Sequence, residues 1–261
     1  MPARTFAAVL AALALVGLAA CSSGSDPAKT PTPSSTAVVT PSPTTSQATV
    51  SAQDAAAAKI RSALTKAQLT TAQVKLVRQK ESVAESRGLS VRTFIACGYT
   101  KVDPSDFARV DRLQSSWLSK GWASQDPTKA QVKVSSEVVA YRPGGVAAAM
   151  KSYQGAPKAC PKTRFTKGVT GTVKAAKAPA GLPKGSVVLS QVIRYKNNVT
   201  TTGYIVAIPA GNVLGLLYVD GVSSDPKAVV TNRTRILPTF VTHVVAAGVA
   251  VGTLTATAAG A

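Results

Sequence analysis

Three cysteine thiols, one histidine and eleven carboxylates face thirty Lys and Arg side chains in this 261-residue chain. That reactive set is too scattered for most catalysis. A serine triad needs an imidazole, and His243 lies in an apolar stretch that reads as helix, where a satisfied or half-buried ring is the ordinary outcome. Gly221-Val222-Ser223-Ser224-Asp225 is not a nucleophile elbow, because the glycine required after the serine is missing; Ser224 and Asp225 read as a turn and a helix cap. Asp103, Asp106 and Asp111 are the close set of acids, and Asp106 and Asp111 read as cap and surface residues. No CxxC occurs and His243 is far from every cysteine, so no metal set is expected. Pro143-Gly144-Gly145 opens a helix and offers a weak anion-binding N-terminus. The expectation is a non-enzyme without a metal or diffusible cofactor.

Chemistry of another kind is written at Cys21. Arg4 supplies a positive n-region, Phe6 to Ala20 is a 15-residue apolar run, and Leu18-Ala19-Ala20-Cys21 ends it. Fifteen residues fall short of the roughly 20 that a helix needs to cross a bilayer. Small residues followed directly by cysteine resemble the lipobox of bacterial lipoproteins. The resemblance implies a signal peptide over residues 1–20, diacylglycerol and acyl chains such as palmitate on Cys21, and anchoring at the extracytoplasmic face of the cell membrane. A plain secretory signal is the weaker alternative.

Residues 21–52 follow as a tether of Ser, Thr, Pro and Ala. Pro27, Pro31, Pro33, Pro41 and Pro43 oppose a regular helix, and the apolar content is too low to offset chain entropy. A relaxed chain of this length spans roughly 30 Å, so the tether would hold the folded part off the membrane. Residues 53–255 read as one α+β domain, and 256–261 as a frayed tail. With Cys21 lipidated, Cys97 and Cys160 are left to pair in an oxidising compartment. Their 64-residue loop makes such a bridge worth about 4 kcal/mol.

The elements follow from periodicity. Residues 53–69 read as a helix with Ile60, Leu64 and Ala67 on one face, and Phe94-Ile95-Ala96 as a short strand before Cys97. Phe107 to Leu118 reads as a second helix, with Phe107, Val110, Leu113 and Trp117 at three- and four-residue steps and Asp106 as its cap. Val132 to Tyr141 alternates as a strand, with Val132, Val134, Val138 and Ala140 facing one way. A helix from Pro143 to Tyr153 aligns Val146, Ala149, Met150 and Tyr153. Val187–Tyr195, Val199–Ile208 and Val213–Val219 form an antiparallel meander, joined by turns at Asn197-Asn198 and Ala210-Gly211-Asn212. Asp225-Pro226 starts a closing helix that turns Val229, Ile236, Phe240 and Val244 inward, with Pro238 set to kink or end it. Ile236 to Leu254 is apolar enough to suggest a second membrane anchor, but a core element docked on the sheet is the better reading.

This order resembles the PknH-like extracellular sensor domain family, found in exported, actinobacterial-type lipoproteins and in ectodomains of bacterial receptor kinases. The likeness is carried by Leu64-Thr65-Lys66-Ala67-Gln68-Leu69, Cys97, Tyr141-Arg142-Pro143, Ala159-Cys160-Pro161, the hairpin Ile193 to Val199, and Asp225-Pro226. It implies an antiparallel sheet with helices packed on one face, a cleft, and ligand sensing without catalysis. Kinase ectodomains of this type carry two disulfides, whereas here one pair, Cys97 and Cys160, is left.

Charge gives the functional direction. The formal net charge is +19, and no acid lies between Glu137 and Asp220, a stretch that holds eleven cations. Lysines without carboxylates make a positive field rather than a web of ion pairs. Lys158, Lys162, Arg164, Lys167, Lys174, Lys177, Arg194 and Lys196 are the candidate anion-binding residues. At the envelope their counterparts would be anionic lipid or a phosphate- or carboxylate-bearing wall polymer. The plainer alternative is that they keep an alanine-rich domain soluble. Nucleic acid is disfavoured by export and by the lack of a binding motif. The other readings are a structural lipoprotein that engages another envelope protein, and a lipid carrier, which would need a deep apolar cavity.

Overall fold

A computed structural model describes residues 44–76, 104–123, 131–159, 163–166, 169–195, 199–222 and 226–258. Cys21, Cys97, Cys160, Phe94-Ile95-Ala96, Asp103, Lys162, Lys167, Lys196, the Asn197-Asn198 turn and Ser224-Asp225 lie outside these residues.

Seven strands form one antiparallel sheet in the order β1-β2-β7-β6-β5-β4-β3. They are β1 (Arg109–Leu118), β2 (Val132–Tyr141), β3 (Thr163–Thr166), β4 (Val169–Ala175), β5 (Val187–Arg194), β6 (Thr200–Ala210) and β7 (Val213–Val222). The β5-β6-β7 meander and β2 fall where their alternation predicts them. Gly211, at φ 56°, takes the left-handed position in the β6–β7 turn.

The helices are α1 (Thr44–Ala67), α2 (Thr71–Val74), α3 (Lys120–Ala123), α4 (Gly145–Ala159) and α5 (Pro226–Ala258). Period two sorts the sheet residues into two cores. Val132, Val134, Val138, Ala140, Val206, Val213, Leu217 and Val219 pack against Ile60, Leu64 and Ala67 of α1 and Val229, Ile236, Phe240 and Val244 of α5. Their neighbours Val139, Tyr141, Leu189, Ile205, Ala207, Leu214 and Leu216 pack against Val146, Ala149, Met150 and Tyr153 of α4. Helices therefore cover both faces of the sheet, where one covered face was expected. The nearly continuous apolar runs of β6 and β7 are the physical reason, since both of their faces need burial.

Three further boundaries differ from expectation. Phe107 to Leu118 is not a helix: a 3-10 turn, Pro104–Ala108, leads into β1. Leu113 and Trp117 are four residues apart, a spacing that satisfies one helical turn and two strand repeats alike. They are buried, but Phe107 is 76% exposed, so no four-residue apolar helix stripe exists. α1 begins at Thr44, directly after the last proline of the tether, rather than at residue 53. α5 continues through Pro238 to Ala258 and includes residues assigned to a frayed tail. By length and composition, Pro226–Gly252 is long and apolar enough to cross a membrane, yet its apolar stripe lies on β6 and β7.

Glycines set the approach of α5 to the sheet. A Cβ on Gly248 would sit 2.5 Å from the Ala210 carbonyl oxygen and 2.7 Å from its Cβ, and one on Gly215 would run into Val244. At the N-terminal side, Arg235 of α5 donates from Nη1 to the Gln73 carbonyl at 2.8 Å and from Nη2 to the Val74 carbonyl at 2.5 Å. Those are two of the carbonyls left free at the end of α2.

Candidate functional site

The sheet edge carries the basic residues. Alternation along β4 puts Thr170, Thr172 and Lys174 on one face and buries Val173 on the other. Register then pairs Thr170 with Arg194, Thr172 with Val192 and Lys174 with Ser190. Directly paired residues share a face, so Arg194, Val192 and Lys174 line one open groove of about 350 Å³ with Thr170, Gly171 and Thr172. Val188 and Val206 on this face belong to the α5 core, but α5 itself lies over β7 and β6. Among the described residues nothing covers this part of the outer strands on this face, and that is what makes the groove. Lys174 and Arg194 are exposed. They stand four strand residues apart in register, about 13 Å along the strand direction.

Five of the eight candidate cations, Lys158, Arg164, Lys174, Lys177 and Arg194, lie among the described residues. Lys174 and Arg194 come together. Arg164 of β3 pairs with Thr170 in the backbone register and so stands in the same cross-strand row as Arg194. Lys158 is exposed near the end of α4, on the opposite side of the sheet. Lys177 is exposed just beyond β4, outside the groove. β3 and β4 themselves were missed in the sequence, because Thr163–Thr166 is only four residues and Gly171 interrupts the β-branched run of β4.

No carboxylate, imidazole or thiol lines this groove among the described residues. Two cations and two threonine hydroxyls can hold an anion, but they supply no base to activate a nucleophile. Binding is the chemistry that this arrangement supports.

A second polar group, unsuspected in the sequence, lies under α4. Arg112 Nε donates to Glu137 Oε1 at 2.5 Å, Arg112 Nη2 donates to Gln114 Oε1 at 2.5 Å, and the Tyr218 hydroxyl donates to Glu137 Oε2 at 3.4 Å. Burial raises the Glu137 carboxyl above its usual range, and the Arg112 guanidinium opposes that rise. Burial, with the Glu137 charge adding to it, pushes the Tyr218 and Tyr153 phenols well above the usual tyrosine range. Arg112 and Glu137 are almost wholly buried, so this network fastens β1 to β2 rather than meeting solvent. Farther along the same face, Gln191 Nε2 donates to Asp220 Oδ1 at 2.5 Å, and Asp220 occupies the space that the missing Gly203 side chain leaves. Burial pushes the Asp220 carboxyl up to about 6, against the pull of the Gln191 hydrogen bond and the Lys133 charge.

His243 is half-buried on α5, with Nε2 3.4 Å from Gln73 Nε2. No group of three or more His, Cys, Asp or Glu side chains among the described residues is placed to hold a metal.

Fold and groove define the class: a single α+β domain built on an antiparallel sheet, with helices on both faces and, among the described residues, one basic edge uncovered. No protein-family model matches the chain, and no curated protein matches it. Among solved structures it is similar to the extracellular domain of PknH from Mycobacterium tuberculosis, with a TM-score of 0.39 at 13% identity over 67% of this chain and 94% of that one. The functional reading below rests on this chain's own residues.

Proposed function

We propose that the chain is an envelope lipoprotein, anchored through a diacylglyceryl group on Cys21 at the extracytoplasmic face of the membrane. Its domain binds an anionic envelope component without transforming it. The lipobox supports the anchor, and one observation carries the binding: Lys174 and Arg194 line one open groove with two threonine hydroxyls and, among the described residues, no carboxylate. The Cys97–Cys160 disulfide belongs to this reading, since it follows from export.

The groove favours a polymer bearing phosphate or carboxylate groups at intervals. Its two cations are set about 13 Å apart, and a repeating polyanion can engage both. Arg guanidinium suits bidentate recognition of such groups, with Lys acting as a point charge. A groove between the 179–182 segment and α5, about 360 Å³ and lined by Leu182, Leu237, Val241 and Arg233, is the nearest thing to a lipid site. Arg233 is already stacked over the Tyr204 ring at 4.0 Å, so polymer binding at the basic edge is preferred to lipid carriage.

The test is retention of the purified protein on isolated anionic wall polymer as salt is raised. Retention that falls steadily with salt supports the reading; no retention, or retention indifferent to salt, contradicts it.

A further inference from the structure

The basic groove does not end at Lys174. Register continues its row across the sheet: Lys174 pairs with Ser190, and Ser190 with Tyr204. Paired residues share a face, so all three look toward the side on which α5 packs. Ser190, Val192, Thr202 and Tyr204 each keep part of their surface open. Tyr204 carries Arg233 of α5, whose guanidinium carbon stands 4.0 Å from the ring centroid. Two strand spacings, about 10 Å, separate Tyr204 from Lys174. A third cation thus faces the groove from across the sheet. Stacking occupies the flat face of the guanidinium; its N–H donors point outward in the plane of the group, where an anion can meet them.

Beyond Arg233 the surface changes character. α5 runs from Gly221, where a Cβ would meet Val229, to Gly215, where one would meet Val244. Leu237 and Val241, one and two turns past Arg233, therefore lie farther along the sheet, toward the row of Val188 and Val206. The segment after β4 turns over the same row: the Ala176 amide donates to the Val188 carbonyl at 2.9 Å, and Leu182 packs against the core that α5 shares. Between segment and helix lies the slot of about 360 Å³, with Pro179, Leu182, Leu237 and Val241 as apolar walls and Arg233 at the end nearest the groove. That volume sits at the small end of the range for ligand sites. One wall also offers an acceptor. Pro238 has no N–H, so the Thr234 carbonyl, one turn before it, lacks its helical donor, and both residues line the slot. Neither residues 176–186 nor α5 contains an Asp or Glu.

We propose that groove and slot are two parts of one site for an anionic amphiphile. The slot takes a single alkyl chain, Arg233 holds the anionic group next to it, and Lys174 and Arg194 take the charges that follow. The ligand class is then the acylated end of an envelope polyanion rather than a bare polymer. A neutral chain would leave the Arg233 donors without an anion, and a bare polyanion would leave the apolar walls in water, so the two halves of the ligand are selected by different parts of the site. A hydroxyl or amide beside the anion would donate to the Thr234 carbonyl. The proposal rests on the binding reading of the groove and adds the chain to it.

The full chain carrying Cys21→Ser, which keeps it free of acyl groups, is titrated by calorimetry with decyl phosphate below its micelle concentration, with butyl phosphate and with decyl glucoside. The same protein is passed over deacylated anionic wall polymer at rising salt. Decyl phosphate should bind at least about tenfold more tightly than either other probe. Ala180→Trp fills the slot from its exposed loop wall and should reduce decyl phosphate to the affinity of butyl phosphate, with polymer retention unchanged; Thr242→Trp, which fills it from an exposed position on α5, should do the same. Arg233→Gln should weaken both phosphates about tenfold and leave decyl glucoside as it was. Equal affinity for the two phosphates, with salt-sensitive retention on the polymer, overturns the slot and leaves the groove reading standing. Preference for decyl phosphate without retention on the polymer supports the slot and overturns the groove reading; neither effect overturns both. Decyl glucoside bound as tightly as decyl phosphate overturns the role of Arg233. A chain preference that survives both tryptophan variants arises outside the slot and overturns the proposal.

Discussion

Arg112 and Glu137, 25 positions apart in the chain, meet as an ion pair at 2.5 Å with both side chains almost wholly sealed from solvent. Register places Glu137 opposite Gln114, which accepts from the same guanidinium. Removing one partner leaves a buried charge without its counterpart. Arg112→Met should therefore cost about 3 to 5 kcal/mol of stability, measured by urea unfolding. Replacing both, as Arg112→Met with Glu137→Leu, should recover most of that loss, because two desolvated charges are removed together. A double variant as unstable as the single one would show that the pair does more than balance its own burial.

The Asp220 carboxyl, pushed up to about 6 by burial from an ordinary 3.8, makes stability depend on pH in a definite direction. The folded state holds this proton more tightly than the unfolded state. Its contribution is therefore complete below about pH 4 and is lost as pH rises toward 6. The full effect is on the order of 3 kcal/mol at most, since the side chain retains some exposure. Asp220→Asn should stabilise the protein at pH 7.5 and leave it nearly unchanged at pH 4, read from thermal unfolding at the two pH values. Equal effects at both would remove Asp220 as the titrating group.

The close approach of α5 to the sheet at Gly248 predicts that Gly248→Ala destabilises, although alanine is the better helix former. The added methyl meets the Ala210 carbonyl, and displacing a helix from a packed sheet costs about 1 to 3 kcal/mol. Gly252, where a Cβ meets nothing within 4 Å, is the control: Gly252→Ala should be neutral or slightly stabilising. If both changes raise the melting temperature, the contact is not tight.

Much of this fold is legible in the sequence, and the exceptions have causes. Val132 to Ala140 and Val146 to Tyr153 carry one period each, and both bury the residues their spacing predicts. β1 misleads because Leu113 and Trp117 satisfy two periods at once, and because Arg112 and Gln114, polar in the sequence, are satisfied inside by a partner strand that the local pattern cannot reveal. The second covered face follows from β6 and β7 being apolar on both sides, a signal present in Ile205 to Ile208 and Val213 to Leu217 but read only as strand. For the candidate site, the acid-free stretch between Glu137 and Asp220 contains both cations that line the groove. Cross-strand register, which no local pattern supplies, brings Lys174 and Arg194 to one groove among the five candidate cations that are described, and puts Lys158 on the other face.

Binding at the basic edge is tested most directly by reversing its two charges. Lys174→Glu with Arg194→Glu touches exposed side chains only, so the fold should persist with an unchanged melting temperature. Titrated with purified anionic wall polymer at low salt, the native protein should bind, and the double variant should bind at least about tenfold more weakly with a shallower salt dependence. A control of equal charge, Lys158→Glu with Lys151→Glu on the α4 side, should bind nearly as the native protein does. If the two double variants weaken binding alike, the attraction belongs to the net charge of the chain and not to the groove, and the assignment of the site is contradicted.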